Sequence, residues 1–129
     1  MTIKHILIAE DDSEMLIMMS DFLKTKGDMI STATTESQIN SVLNAKRVDL
    51  ILLDVMLGFE NGIQICQNIR RDSSIPIILV SALSADNQKM DGYDVGADDY
   101  ISKPFNPDLL LARLKAVLSR TGRTSSLVY

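Results

Sequence analysis

The 129-residue chain has a single cysteine, Cys66, which excludes an internal disulfide and a cysteine-based zinc site, and a single histidine, His5. Six glycines and three prolines are too few for a collagenous or low-complexity chain. Long hydrophobic stretches are lacking too. The strand-like runs Ile6-Leu7-Ile8-Ala9, Leu50-Ile51-Leu52-Leu53 and Ile77-Ile78-Leu79-Val80 are four residues each, and nothing approaches the ~20 needed to span a bilayer. The start, Met1-Thr2-Ile3-Lys4-His5, has no apolar segment of signal-peptide length. A soluble protein of the reducing cytoplasm, with no membrane partner, is expected. Positive charge is in deficit: 13 Lys+Arg against 17 Asp+Glu give a net charge of −4, the wrong sign for neutralising nucleic-acid phosphates. What is present, 46% hydrophobic residues, suffices for one folded domain.

The three runs, with the more mixed Met29–Thr34 and Asp99–Ser102, alternate with segments of helical spacing. The first helix follows Ser13, turns Met15, Met18, Met19 and Phe22 inward and stops near Gly27. Thr35 and Gln38 form a capping box for the second, with Ile39, Val42 and Leu43 inward. Ile65, Cys66 and Ile69 mark the third. The fourth, Ala85 to Val95, is weakly apolar and interrupted by Gly92. The fifth has Asn106 as N-cap, Pro107 at its first position, and Leu110, Leu111, Leu114, Val117 and Leu118 for the core. Strands alternating with helices form a parallel sheet whose inner strands are apolar throughout. The expected fold is therefore a doubly wound α/β domain, a flavodoxin-like three-layer sandwich with a five-stranded parallel sheet of order 2-1-3-4-5. Residues 1–120 form this domain. Residues 121–129, polar before Leu127-Val128-Tyr129, have the character of a linker toward a further domain.

Ligands of such sheets bind at the carboxyl ends of the strands. There the sequence places Glu10-Asp11-Asp12, Asp54, Ser81 and Ser102-Lys103-Pro104. Taken singly, each is ordinary: Asp12 or Ser13 can cap a helix, and Asp54 or Lys103-Pro104 can make a turn. Together they put hard oxygen ligands on two strand ends and a cation on a third. Glu10, Asp11 and Asp54 in proximity repel by about 4 kcal/mol per pair at ~4 Å and an effective dielectric of ~20, so a counter-charge is required. Few carboxylates with retained waters suit Mg²⁺ better than Ca²⁺, and Lys103 adds a second positive charge. A metal and an ammonium beside a carboxylate also hold a phosphoryl group, making Asp54 a candidate nucleophile.

Over residues 3–120 the sequence resembles the receiver domain of two-component response regulators. The matching features are Glu10-Asp11-Asp12, Asp54 with Gly62 eight residues on, Ser81-Ala82, Gly96-Ala97-Asp98-Asp99-Tyr100 and Lys103-Pro104-Phe105. The resemblance implies that Asp54 accepts a phosphoryl group from a sensor histidine kinase. It implies Mg²⁺ ligation by Asp11 and Asp54, by the Met56 carbonyl and, through water, by Glu10, with Asp12 supporting the pocket or capping the helix. It further implies that Ser81 and Lys103 hold the phosphoryl oxygens, that Lys103-Pro104 is cis, and that Ser81 and Tyr100 move inward on phosphorylation. Residues 96–113 are most similar to receivers attached to winged-helix DNA-binding domains. These dimerise through the fourth helix, fifth strand and fifth helix, with Asp99–Arg113 and Asp98–Arg120 as inter-subunit pairs. A further pair through Lys89 would lack its acidic partner, because that position is Leu109.

The implied function is a phosphorylation switch that controls transcription through an output domain outside this chain, touching DNA only there. It is a signalling phosphoacceptor that catalyses its own phosphorylation and slow dephosphorylation, not an enzyme acting on other substrates. Slow dephosphorylation follows from apolar Met56 and Leu83, two residues beyond Asp54 and Ser81, which cannot orient a water. Gly58 and Asn61 depart from the Pro and Asp usual in the family, implying a more mobile loop. The alternative is a stand-alone phosphorelay or chemotaxis-type receiver. An aspartyl-phosphate phosphohydrolase wants a second Asp at position 56, and a flavin-binding protein wants a Ser/Thr/Gly loop where Glu10-Asp11-Asp12 stands.

Overall fold

The computed structural model describes residues 3–82 and 95–121. In chain order its elements are β1 (His5–Ala9), α1 (Ser13–Thr25), β2 (Met29–Ala33), α2 (Glu36–Ala45), β3 (Leu50–Asp54), β4 (Met56–Leu57), β5 (Glu60–Asn61), α3 (Gly62–Arg70), β6 (Ile77–Ser81), β7 (Asp99–Ser102) and α4 (Pro107–Arg120). The last is the fifth helix of the sequence reading. The fourth expected helix, apart from Val95, lies outside the described residues, as do Lys89, Leu83 and residues 122–129.

Every residue of β1, β3 and β6 is buried, which follows from apolar side chains on both faces of each strand. The sheet order is β2-β1-β3-β6-β7 with all pairings parallel, matching the predicted order strand for strand. Alternate residues divide between two cores. Leu7, Ile51, Leu53, Ile77 and Leu79 meet Ile39 of α2 and Ile65, Cys66 and Ile69 of α3. Ile6, Ile8, Leu50, Leu52 and Ile78 meet Met19 and Leu23 of α1 and Leu110, Leu114, Val117 and Leu118 of α4.

The helix stripes are displaced slightly from expectation. On α1 only Met19 and Leu23 are fully buried, while Met15, Met18 and Phe22 flank them half-buried; on α4 Leu111 is likewise half-buried. Capping follows the sequence signals closely. Asp12 caps α1, its Oδ1 accepting from the Glu14 and Met15 amides at 3.1 and 3.4 Å. Thr35 Oγ1 accepts from the Gln38 amide at 3.2 Å, but Gln38 Oε1 reaches back to the Thr34 amide at 2.7 Å, so the box closes one residue earlier than expected. Asn106 Oδ1 accepts from the Asp108 amide at 2.7 Å, with Pro107 at the first helical position. Cys66 is fully buried and burial pushes its thiol pKa up, so it is a packing residue of the core. Among the described residues no helix is long and apolar enough to cross a membrane.

The hairpin β4–β5 between Asp54 and α3 was not expected from the sequence. It is antiparallel, pairing Met56 with Asn61 and Leu57 with Glu60 around Gly58-Phe59. Gly58 has φ +62°, the glycine-first pattern of a tight two-residue hairpin.

Candidate functional site

Parallel strands end on the same edge of the sheet, so the residues closing β1, β3, β6 and β7 converge. Asp54 ends β3 and Ser81 ends β6; Glu10 and Lys103 directly follow β1 and β7. Glu10, Asp54 and Ser81 are 2%, 5% and 1% exposed, whereas Asp11 stands open to solvent. One carboxylate oxygen each from Glu10, Asp11 and Asp54 lies within 4.8 Å of the others. Lys103 Nζ donates to Glu10 Oε1 at 2.7 Å and to Asp54 Oδ2 at 2.9 Å. The Met56 amide donates to Asp54 Oδ1 at 2.9 Å, and the Asp12 amide to Glu10 Oε2 at 3.2 Å. Asp54 is thereby held through both oxygens.

The electrostatics follow from this crowding. Burial, reinforced by the side chain of Asp54, pushes the Glu10 pKa up to about 7 against the lowering effects of Lys103 and the Asp12 amide. For Lys103, burial disfavours the ammonium, but Glu10 and Asp54 outweigh it and its pKa rises above the usual lysine value. The donor set is all oxygen, carries more negative charge than one ammonium offsets, and is open on the Asp11 side. It fits a hard divalent cation of the Mg²⁺ type.

Backbone geometry aims these groups. The Lys103 amide donates to the Ser81 carbonyl at 2.6 Å, joining the ends of β7 and β6, and the Lys103-Pro104 peptide is cis. Gly62 begins α3 directly beneath the acidic end of β3. A Cβ there would collide with the Asp54 carbonyl oxygen and come within 2.8 Å of the Val55 Cα, so only glycine lets α3 start so close to Asp54. At the departure Asn61, the side chain caps α3, its Oδ1 accepting from the Ile63 amide at 2.8 Å.

The remaining predicted residues lie in or next to β7 and on α4. Tyr100 is buried in the core shared with α2 and α3. Arg113 Nη1 pairs with Asp99 Oδ1 at 3.0 Å within the chain. The Asp98 carboxylate pairs with Arg70 at 2.9 Å, while Arg120 Nη2 donates to the Asp98 backbone carbonyl at 2.8 Å. Arg70 escaped the sequence reading. Its guanidinium also reaches the Gly96 and Ile75 carbonyls at 2.8 and 2.6 Å, tying the end of α3 to the approach to β7. A basic residue in the last turn of a helix is too common to signal that role.

The sequence model of the response regulator receiver domain matches residues 6–115. The phosphate regulon transcriptional regulatory protein PhoB of Pseudomonas aeruginosa is 43% identical over 122 residues, covering 92% of this chain and 53% of that protein. The transcriptional regulatory protein YvrH of Bacillus subtilis is 44% identical over 118 residues, covering 90% and 49%. The chain thus spans about half the length of these relatives. Among solved structures, the receiver domain of the TMAO respiratory system response regulator TorR superposes with a TM-score of 0.86 at 32% identity, covering 91% of this chain and 98% of that one. The BeF3-activated receiver domain of Klebsiella pneumoniae RstA gives 0.84 at 30% identity, covering 89% and 98%. With a fold, an acidic pocket and a sequence that agree along nearly its whole described length, the chain belongs to the response regulator receiver domain family, the phosphoacceptor modules of two-component signalling.

Proposed function

We propose that Asp54 accepts a phosphoryl group from a phosphohistidine of a sensor kinase, and that the modified domain switches its association state to control transcription. The observation that carries this reading is Lys103 Nζ, 2.9 Å from Asp54 Oδ2 and 2.7 Å from Glu10 inside a three-carboxylate pocket. In the transfer a carboxylate oxygen of Asp54 attacks phosphorus, the N–P bond of the donor breaks, and the departing imidazole keeps the bonding electrons and takes up a proton. Lys103 stabilises charge on the moving oxygens, and the Met56 amide fixes the attacking carboxylate. Asp11, Asp54, the Met56 carbonyl and, through water, Glu10 would hold Mg²⁺, which when bound would supply further charge neutralisation on the phosphoryl oxygens.

The product carries about two negative charges. Ser81, at the neighbouring strand end, donates its hydroxyl to them, and its displacement leaves room for the Tyr100 ring to move inward. Dimerisation then uses the fourth helix, β7 and α4. Asp99, Asp98, Arg113 and Arg120 set the register there. Lys89 lacks an acidic partner at Leu109. Residues 121–129 lead to a DNA-binding output domain beyond residues 1–120. Acetyl phosphate or beryllofluoride with Mg²⁺ is expected to produce a modified, faster-sedimenting species. The reading fails if sedimentation and phosphate-sensitive gels are the same with and without the metal.

A further inference from the structure

We propose that Phe59 is a docking contact for the protein that delivers the phosphoryl group, one that small phosphodonors do not need. The proposal rests on Asp54 being the phosphoacceptor. Phe59 is the most exposed large hydrophobic residue among those described, at 110% of its reference area. It is held there by its surroundings. Leu57 anchors the hairpin in the core at 1% exposure, Glu60 Oε1 accepts from the Glu36 amide of α2 at 2.7 Å, and Asn61 caps α3. A ring on a tip tied down on three sides does not fold back over the core, so its apolar surface stays presented to solvent.

The tip also stands at the mouth of the acidic pocket. The Cβ position of Gly58, next in sequence to Phe59, is 4.0 Å from Asp11 Oδ2, and Met56, 56% exposed on the same hairpin, has its amide on Asp54. Any protein bringing a phosphohistidine to Asp54 must lay surface over this rim. Three carboxylates against one ammonium and one bound divalent cation leave no net positive charge to draw in a phosphoprotein, so affinity for such a donor has to come largely from contacts beside the pocket. A preorganised aromatic ring is the type of side chain that concentrates binding energy in this setting. A small phosphodonor enters the pocket without touching it. The expected partner surface is apolar and lies next to the donor histidine.

The test compares the full chain with Phe59→Ser and Phe59→Leu, using phosphoramidate as a small N–P donor and histidyl-phosphorylated kinase cores from the source genome as protein donors. Phe59→Ser is expected to lose tenfold or more in kcat/KM with the kinase core that serves the unaltered chain, and less than twofold with phosphoramidate. Phe59→Leu recovers part of the loss. Equal rates with the kinase, an equal loss with both donors, or transfer to the unaltered chain from phosphoramidate but from no kinase core would each overturn the proposal. So would a changed sedimentation of Phe59→Ser, which would assign the ring to contact between copies. If neither donor modifies the unaltered chain, the Asp54 reading itself falls.

Discussion

Lys103→Met, which keeps the aliphatic stem and removes the ammonium, lowers the rate of Asp54 phosphorylation by small phosphodonors about 10²-fold or more, the loss typical of deleting one preorganised charge from a transition state. It also exposes the strain in the acidic pocket. Lys103 is the ammonium shared by Glu10 and Asp54, whose side chains are 3% and 7% exposed. Removing one partner of such a buried set costs about 3–5 kcal/mol when the carboxylates stay ionised. Glu10 can instead take up a proton. Its folded pKa, about 7 against an ordinary 4.5, is raised. The stability associated with its neutral form is therefore complete below about 4.5 and lost as pH rises through about 7. Without Lys103 a lowering influence disappears and the pKa climbs further. Denaturant titrations should accordingly show Lys103→Met near the unaltered chain in mild acid and well below it at alkaline pH. Added Mg²⁺ should narrow the gap. A pH-independent difference would contradict this electrostatic account.

Gly62→Ala should be the most damaging one-carbon change near the site. The new methyl would meet the Asp54 carbonyl and, at 2.8 Å, the Val55 Cα. Both are backbone of a buried strand end and cannot swing aside as a flexible side chain does. A cost of about 3 kcal/mol or more is expected from such overpacking, with a parallel fall in phosphorylation because the relief available is to displace Asp54. Gly27 is the control. It has φ +91° but nothing within 4 Å of its Cβ position, so Gly27→Ala carries only backbone strain of roughly 1–2 kcal/mol and leaves phosphorylation unchanged. Urea unfolding of the two variants, read beside acetyl phosphate labelling, separates steric from conformational cost. Equal destabilisation would remove the steric role assigned to Gly62.

The sheet was legible because its signal is strong. Ile6–Ala9, Leu50–Leu53 and Ile77–Val80 are apolar on both faces, which only inner parallel strands require. Glu10, Asp54, Ser81 and Lys103 followed, since strand ends converge once the order is known. The contacts that depend on side-chain reach were not legible. Nothing in the spacing says that Lys103 bridges to Glu10 across 93 residues as well as to Asp54, or that Arg70 pairs with the Asp98 carboxylate within the chain. The β4–β5 hairpin was invisible because two-residue strands carry no periodicity, and nothing in the spacing says that Gly58 takes a positive φ at a tight turn. The stripe of α1 centred on Leu23 rather than Phe22 shows the ordinary limit of helical phase read from a run of methionines.

Direct localisation of the phosphoryl group is the decisive measurement. Incubation with phosphoramidate and Mg²⁺, borohydride reduction of the acyl phosphate and peptide mass spectrometry should place a single modification on Asp54, absent without the metal and absent in Asp54→Asn. A label on another residue, or an unmodified chain under the same conditions, would contradict the account.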